Sequence, residues 1–441
     1  MMSVKPPGAG DVVERMDNGR WYLVCSVGVG KLSSSMNEWP ELFPALRRNT
    51  AVYLNAAGRT PLPARTLAVG LSAIVRKAET PWSIGDTEAD KDLVRELFAE
   101  MLGQGASASD VAVVPCCSYA MTMAARNLAP ILRQRPVGLR RVLVLQDQNP
   151  SNVMQWQRLC EDEGGELCVI PLDMDVPLAN AIVCALATGT VAIAALPPCH
   201  WCDGSLVDLE PVAAACKSHG VPLVIDATQW LGAAPSIDVV ALGITFLACS
   251  VHKWLLGPYG ACLCYAPASF WASARPLEDH DRNRDGAQHV ECLPMDPQNG
   301  YPTAFQHGCR RLDGGGRPSY IVMPMLVASL TLLVRELGVP RVTAVLQSLT
   351  DDIGRRARAL GFRVPSRHAP NIIGLRPSAH MPSAKAIVDA LKARPLPVLV
   401  GERLGAIRVS PYVYNGAADI DQLFEGLREA VNQGTPSHCR L

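Results

Sequence analysis

An acid and a lysine each follow an apolar run of the chain, and together they suit chemistry on an amine. Asp226 comes directly after the run at residues 221–225, and Lys253 follows the run at residues 246–249. A lysine amine can condense with an aldehyde cofactor, and a carboxylate can keep the ring nitrogen of such a cofactor protonated. The two residues therefore predict one site that holds an aldehyde cofactor between a strand-end acid and a strand-end lysine.

The elements that must position these residues are predicted from alternating apolar runs and helical patterns. Runs at residues 111–114, 141–145, 167–171 and 191–196 are typical of buried strands, and stretches with helical spacing separate them. This alternation predicts an α/β fold with a mostly parallel sheet flanked by helices. The mixed strands and helices that follow predict a smaller α+β C-terminal lobe.

Domain boundaries are predicted from the same patterns. We expect a partly disordered N-terminal extension over residues 1–40, a large domain over residues 41–311, a small domain over residues 312–434 and a tail over residues 435–441. Residues 322–337 are predicted to form one long helix that ends at Gly338.

The composition is that of a globular protein. The 441 residues are 49% hydrophobic and 19% charged, with a formal net charge of +0. A neutral chain has no general attraction to nucleic acid or a membrane surface, and no apolar run approaches the roughly 18 residues of a membrane helix. The 15 cysteines argue against a disulfide framework and for a reducing, cytoplasmic location. The C-x-x-C at residues 199–202 lacks a second ligand pair at zinc spacing, so we expect no metal.

The central stretch carries a family resemblance. Residues 226–229 read D-A-T-Q, and residues 250–260 read S-V-H-K-W-L-L-G-P-Y-G. This resembles the class V aminotransferases, a pyridoxal-phosphate (PLP) family that includes cysteine desulfurases, kynureninases and isopenicillin N epimerase-like proteins. The resemblance covers roughly residues 50–432. It implies the type I PLP fold, an amino-acid substrate and a homodimer with shared active sites.

The resemblance also implies roles for the central residues. Lys253 holds PLP as a Schiff base and, once freed, serves as a base for the Cα proton. Asp226 keeps the pyridine ring charged, and Gln229 donates a hydrogen bond to the ring oxygen. Ser250 and His252 hold the cofactor phosphate.

A second stretch is predicted to bind the same phosphate. The strand at residues 111–114 is followed by P-C-C-S-Y-A and then by a helical run. Free backbone N–H groups at a helix N-terminus attract anions. The resemblance implies that Ser118 contacts the phosphate, with Tyr119 and Ala120 offering backbone N–H groups. The alternative is a plain N-cap serine.

The glycine-rich stretch at residues 310–318 reads R-R-L-D-G-G-G-R-P. It resembles a family segment that closes on the cofactor phosphate, commonly that of the neighbouring subunit. Gly315 and Gly316 would allow close backbone approach. Arg317 is either part of this contact or a surface arginine.

The position that covers the cofactor ring departs from the family pattern. Relatives usually carry His or Phe just before a small residue or proline, stacked on the pyridine ring, and Asn149 stands there in this chain. Either the register differs by one residue or a polar side chain covers the ring. The absence of His argues against the desulfurase subgroup.

Two further segments are predicted to contact the substrate. His200 and Trp201 lie in a turn after a strand, where they either touch the substrate or cofactor or simply pack the turn around Gly204. Arg408 lies in a segment that resembles the family's R-x-S-x-x-x-Y-N, where the arginine holds the substrate carboxylate. The alternative for Arg408 is an ordinary strand arginine.

These residues predict a PLP-dependent enzyme that is aminotransferase-like or lyase-like. A C–S lyase, a cysteine desulfurase and an epimerase share the same first steps and stay open, as does a non-catalytic binding protein with the PLP fold. Desulfurases carry a nucleophilic cysteine some fifteen residues before the carboxylate-binding arginine. Residues 393–402 contain no cysteine, so we expect no persulfide transfer.

Overall fold

The computed structural model describes residues 12–17, 20–25, 36–46, 50–85, 87–173, 176–287, 293–316 and 319–433. Its strands are β1 Val12–Asp17, β2 Arg20–Cys25, β3 Val52–Tyr53, β4 Val111–Val114, β5 Arg141–Leu145, β6 Glu166–Ile170, β7 Val191–Leu196, β8 Leu223–Asp226, β9 Phe246–Ser250, β10 Cys262–Tyr265, β11 Ile373–Leu375, β12 Val398–Leu399, β13 Gly401–Arg403 and β14 Ala406–Val409. Its helices are α1 Ala64–Glu79, α2 Glu88–Ala99, α3 Cys117–Gln134, α4 Met154–Glu163, α5 Leu178–Ala187, α6 Leu209–Ser218, α7 Ala268–Trp271, α8 Val322–Thr331, α9 Val339–Ala359, α10 Ala384–Lys392 and α11 Ala417–Gln433. The predicted tail and most of the predicted N-terminal extension lie outside the described residues.

A seven-stranded sheet forms the centre of the molecule, in the order β4-β10-β9-β8-β7-β5-β6. Only β10 within this sheet runs antiparallel to its neighbours, β4 and β9. The central strands are buried along their whole length, because helices cover both faces and leave no side for polar residues. The predicted α/β fold with a mostly parallel sheet is therefore confirmed.

Alternate residues of the strands feed two separate apolar layers. Leu223 and Ile225 of β8 face the layer that contains α2, α5 and α6, whereas Val224 faces the layer that contains α3 and α4. The alternation follows from the period of two in a β-strand. The sheet thus carries helices on both faces, and its strand ends stay open for a site.

A smaller lobe follows along the chain. The antiparallel sheet β11-β14-β13 packs with α9, α10 and α11 around a third apolar cluster. Val52 and Leu54, from the N-terminal part of the chain, belong to this cluster because β3 pairs in parallel with β12. The sequence analysis did not predict this pairing. It joins a strand near residue 52 to the C-terminal lobe.

The helix predicted over residues 322–337 changes character along its length. It is α-helical to Thr331, and Leu332–Leu337 forms a π-helical turn. Gly338 then bends the chain at a φ of 78°, which favours glycine, and Pro340 suits the first turn of α9. No single described helix is long and apolar enough to cross a membrane, although the pair Val322–Leu337 and Val339–Ala359, bent by 77°, passes that test together.

A buried ion cluster ties α2 to the segment that follows residue 308. Lys91 Nζ lies 2.7 Å from Asp313 Oδ2, and the Arg95 guanidinium contacts the same oxygen. Asp313 Oδ1 accepts a hydrogen bond from the backbone N–H of Val113, at 2.9 Å. Burial alone would raise the pKa of Asp313, but Arg95 and Lys91 hold it below its usual value. The carboxylate therefore balances part of the charge of two buried cations and fixes the edge strand β4.

We predict that Asp313→Asn destabilises the protein strongly. The amide keeps the size of the side chain but removes the carboxylate nearest to Lys91 and Arg95. Their other acidic neighbours are farther away: Glu88 lies 4.0 Å from Lys91, and Asp92 lies 3.7 Å from Arg95. Removing one partner of a buried ion pair typically costs about 3–5 kcal/mol. The free energy of unfolding in urea measures the loss. The control is Asp421→Asn, which breaks an exposed pair with Arg356 and should cost less than about 1 kcal/mol. Equal losses in the two variants would contradict a special role for Asp313.

Candidate active site

Asp226 and Lys253 meet because their strands run in parallel side by side. β8 pairs with β9 in a register that places Asp226 opposite Ala248. Both strands therefore end at the same edge of the sheet, where α/β proteins bind ligands. Asp226 is 8% exposed, and its Oδ1 accepts a hydrogen bond of 3.0 Å from the backbone N–H of Thr228.

The turns after β8 and β9 lock against each other. A Cβ on Gly232 would lie 2.5 Å from the carbonyl oxygen of Trp254, so only glycine allows this approach, and its φ is 92°. The indole of Trp254 donates to Gln229 Oε1 at 2.8 Å, and Gln229 Nε2 donates to the carbonyl of Ala57 at 3.1 Å. The turn that carries Lys253 is thereby held in place.

A cavity of about 150 Å³ opens between these turns. Its lining residues are Cys117, Gln148, Asn149, Ser151, Pro197, Cys199, Trp201, Asp226, Thr228, Gln229, Ser250, His252 and Lys253. The structure thus brings together seven of the residues that the sequence predicted for the site: Asn149, Trp201, Asp226, Gln229, Ser250, His252 and Lys253.

The cavity changes the proton affinity of its nitrogen groups. Burial lowers the pKa of the Lys253 amine, and the charge of Arg408 lowers it further, whereas Asp226 opposes the shift. Burial, together with Lys253, lowers the pKa of His252 to about 4. The imidazole stacks on the Tyr259 ring, with 4.3 Å between ring centroids. At neutral pH His252 is therefore uncharged.

The donor set of the cavity fits PLP. A buried carboxylate suits a protonated ring nitrogen, and an amine with a lowered pKa suits an aldehyde. The N-cap of α3, Cys116, makes no capping hydrogen bond through its side chain within the described residues. The first N–H groups of α3 are thus not taken up by a side-chain cap and suit a phosphate.

Two residues predicted for the phosphate do not line this cavity. Ser118 is exposed and lines a larger groove of about 650 Å³ between α3 and α4, whereas Cys117 faces the cavity. Tyr119 packs on the glycine-rich segment, since a Cβ on Gly314 would lie 2.8 Å from Tyr119 Cζ. Consecutive helical residues point about 100° apart, which separates Ser118 from Cys117.

Gly316, also predicted for the phosphate, does not line the cavity either. It lies in the same glycine-rich segment, with a φ of 65°. Arg317 lies outside the described residues.

The turns after β5 and β7 are joined through one carbonyl group. Asp147 has a φ of 52°, and its carbonyl oxygen accepts from Trp201 Nε1 at 2.8 Å and lies 3.2 Å from His200 Nε2. Trp201 lines the cavity, whereas His200 is fully buried behind it and lies 3.7 Å from Asp203. Asn149 lines the cavity, and its Oδ1 accepts from the N–H of Ser151. The contacts of His200 are those of a residue that positions this turn.

Arg408 lies behind Trp201 and is not among the residues that line the cavity. It is 1% exposed and donates to the carbonyl of Trp201 at 3.0 Å and to Asn55 Oδ1 at 3.3 Å. Its Nε has no acceptor among the described residues. Burial, together with the charge of Arg403, lowers the pKa of Arg408 to about 10, so the guanidinium stays charged at neutral pH.

Sequence reasoning missed several residues of the site. Thr228 accepts from the N–H of Ser250 at 3.1 Å and so links the ends of β8 and β9. The D-x-T spacing, which is typical of a turn closed by a side-chain carboxylate, was a usable signal. Cys117 and Cys199 also line the cavity. The C-x-x-C spacing marked Cys199 only as a candidate metal ligand, and no pattern marks Cys117, because cysteine is common in buried stretches throughout this chain.

Comparisons with known proteins agree with this geometry. A family model described as Aminotransferase class-V matches residues 52–310. An uncharacterized aminotransferase, YcbU of Bacillus subtilis, is 24% identical over 383 residues, covering 86% of this chain and 93% of that protein. A cysteine desulfurase of Klebsiella pneumoniae subsp. pneumoniae is 23% identical over 408 residues, covering 88% and 96%.

Solved structures share the fold. The cysteine desulfurase CsdA (S-sulfonic acid) from Escherichia coli matches with a TM-score of 0.72 and 20% identity, covering 91% of this chain and 100% of that chain. The predicted type I PLP fold is thereby confirmed.

We predict that, in cofactor-free protein, Lys253 is acylated at lower pH than surface lysines are. Burial disfavours its ammonium form, so the reactive amine appears below the ordinary pKa of 10.5. Brief treatment with acetic anhydride over a pH series, followed by peptide mass spectrometry, gives the midpoint. Lys385 is the control, because Asp389 raises its pKa. A midpoint for Lys253 at or above that of Lys385 would contradict the prediction.

Proposed function

Because the chain belongs to the class V aminotransferase family and is a PLP-dependent enzyme with the type I fold, we propose that it transforms a free α-amino acid by moving the proton of Cα. The observation that carries the proposal is the placement of two charged residues in the lining of one cavity and of a third directly behind that lining. Lys253 and Asp226 line the cavity, and the buried guanidinium of Arg408 donates to the carbonyl of Trp201, which lines it as well. An amine, an acid and an arginine match the needs of an amino-acid substrate.

The residues that would hold the cofactor follow from their positions. Asp226 would pair with the ring nitrogen, and Gln229 would donate to the ring oxygen. The N-terminus of α3, with Ser250 and His252, would hold the phosphate. Asn149 would lie over the ring. When bound, PLP withdraws electrons from the Cα of the attached amino acid and makes its proton acidic.

Lys253 is proposed to carry that proton. Burial favours its neutral form, which is the form that accepts a proton. Asp226 lines the same cavity, and its Oδ1 accepts a hydrogen bond from the backbone N–H of Thr228. A positioned base of this kind typically contributes about a hundredfold or more to the rate.

Arg408 is proposed to orient the substrate by its α-carboxylate. Its Nε is buried without an acceptor among the described residues, and leaving such a donor unpaired costs free energy. A carboxylate can accept two parallel hydrogen bonds from a guanidinium. Trp201 shields the pair from water on one side.

The thiols of the cavity are not suited to sulfur transfer. A hydrogen bond with Cys262, together with burial, raises the pKa of Cys117 well above its ordinary value. Burial, with the charges of Asp203 and Asp226, raises the pKa of Cys199 as well. A thiolate is the attacking form of cysteine. Transamination or elimination at Cβ, which need no enzyme thiol, therefore fit the cavity better than desulfuration by a persulfide.

We also propose a cytoplasmic homodimer with shared active sites, as the family resemblance implies. Trp82 is 81% exposed just after α1, whose Ile74 is 52% exposed. These side chains offer apolar area to a second copy. Light scattering on the purified protein should give twice the mass of the chain, and a monomer at micromolar concentration would contradict this part of the proposal.

The proposed function predicts that Lys253 both binds PLP and moves the Cα proton. Borohydride reduction of the PLP-loaded protein should leave a pyridoxyl group on Lys253, as shown by peptide mapping. In D₂O, a screen of amino acids should find one whose Cα takes up deuterium, as measured by mass spectrometry. Lys253→Arg should lower the exchange rate about a hundredfold or more.

The variant Lys392→Arg, on the surface helix α10, is the control and should leave exchange unchanged. Labelling of another lysine would refute the assignment of Lys253. Labelled protein with no exchange for any amino acid would instead identify a non-catalytic binding protein with this fold.

A further prediction distinguishes a lyase activity from a cysteine desulfurase activity. A brief incubation with cysteine, without any added reductant, should leave no persulfide on the protein, because the lining thiols stay protonated and residues 393–402 contain no cysteine. Mass spectrometry of alkylated peptides checks this. Sulfide released together with pyruvate, without bound persulfide, would identify direct elimination, whereas alanine as the product would identify desulfuration. Persulfide on Cys199, Cys202 or Cys439 would restore the desulfurase assignment.

A further inference from the structure

A second guanidinium lies beside the one that the proposed function uses. Arg403 Cζ is 5.8 Å from the centroid of the Trp201 ring, and Arg408 Cζ is 5.9 Å from the same centroid. The indole is itself fixed, since its Nε1 donates to the carbonyl of Asp147. Two cations thus lie near one side chain of the cavity wall, although neither arginine is itself among the residues that line the cavity.

Strand register explains why the two arginines converge. Arg403 stands opposite Ala406 in the pairing of β13 with β14, and Arg408 lies two residues further along β14. Directly paired residues share a face of the sheet, and so do alternate residues of one strand. Both side chains therefore leave the same face of the hairpin toward Trp201.

The described residues offer these two cations no carboxylate at ion-pair distance. Arg403 donates to the carbonyl of Glu402, and Arg408 donates to Trp201 and Asn55. The neighbouring acids are engaged elsewhere. Glu402 Oε1 accepts from the N–H of Gly405.

Two other nearby acids are also committed. Asp203 accepts from the N–H of Ser205 and lies 3.5 Å from Arg376. The carboxylate of Asp147 accepts from Gln146 Nε2 at 3.5 Å. Two like charges on one face of a hairpin repel each other. An unbalanced pair of this kind beside a cavity is suited to a ligand that brings two negative charges.

We propose that Arg403 binds a second acidic group of the substrate, so that the enzyme acts on an α-amino acid whose side chain ends in a carboxylate. The inference rests on the proposed function, in which Arg408 takes the α-carboxylate. Arg403 is less buried than Arg408 and lies in the strand next to β14, so it would meet the far end of the substrate. Its planar guanidinium can bind a carboxylate through two hydrogen bonds, and Trp201 would pack along the aliphatic part between the two acids.

Equilibrium binding to the PLP-loaded protein tests this without turnover. The ligands are α-methylglutamate and its amide isostere α-methylglutamine, which have no Cα proton to lose, and calorimetry gives their dissociation constants. Wild-type protein should bind the acid about tenfold or more tightly than the amide. Arg403→Gln should remove that preference and leave the affinity for the amide unchanged.

Two further variants make the result specific. Arg403→Lys keeps the charge but loses the planar fork, so part of the preference should remain. Arg355→Gln removes an exposed arginine of α9 that pairs with Asp352 and should change neither affinity. Circular dichroism confirms that each variant is folded.

The outcomes separate the inference from the proposed function. Equal affinities for the two analogues in wild-type protein would overturn the inference alone, as would an acid preference that persists in Arg403→Gln. If neither analogue binds and no amino acid shifts the absorption spectrum of the cofactor, the proposed function fails, and this inference fails with it.

Discussion

The parallel pairing of β8 with β9 is the constraint on which the site depends. It brings a carboxylate and an amine to one edge of a buried sheet, where water has limited access. The carboxylate and the amine keep their relative positions only if the turns that follow the two strands are compact and rigid. Gly232 permits the close approach of these turns, and the hydrogen bond from Trp254 to Gln229 fixes it. The sheet thus determines where Asp226 and Lys253 lie, and the packing of the turns determines how their side chains are oriented.

Burial lowers the pKa values of the nitrogen groups in the cavity and raises those of the thiols. It favours the neutral forms of Lys253 and His252, because both are cations when protonated. It also favours the neutral forms of Cys117 and Cys199, but for a thiol this means keeping the proton. The same apolar surroundings therefore provide a base and withhold a sulfur nucleophile. The proposed function thus assigns this chain a chemistry other than that of the desulfurases in its family.

Features that depend on residues close together in the sequence could be predicted, and features that depend on contacts between distant residues could not. The strands and the residues Asp226 and Lys253 were predictable, since apolar runs and local motifs mark them. That Cys117 rather than Ser118 faces the cavity was not, because it depends on where a helix begins to within one residue. The positions of His200 and Arg403 were also beyond reach. They follow from tertiary contacts with Asp147 and Trp201 that no local pattern encodes.

The buried ion cluster has a consequence for how the chain is made. Arg95 and Asp313 are 218 positions apart, and β4 pairs with β10 from far along the chain. A ribosome releases α2 and β4 long before their partners exist, and until then Lys91 and Arg95 must stay in water. The first hundred or so residues therefore cannot complete their packing during early synthesis. In the cell, the nascent chain should rely on chaperones for most of its translation, and a protein truncated before residue 313 should be degraded rather than fold.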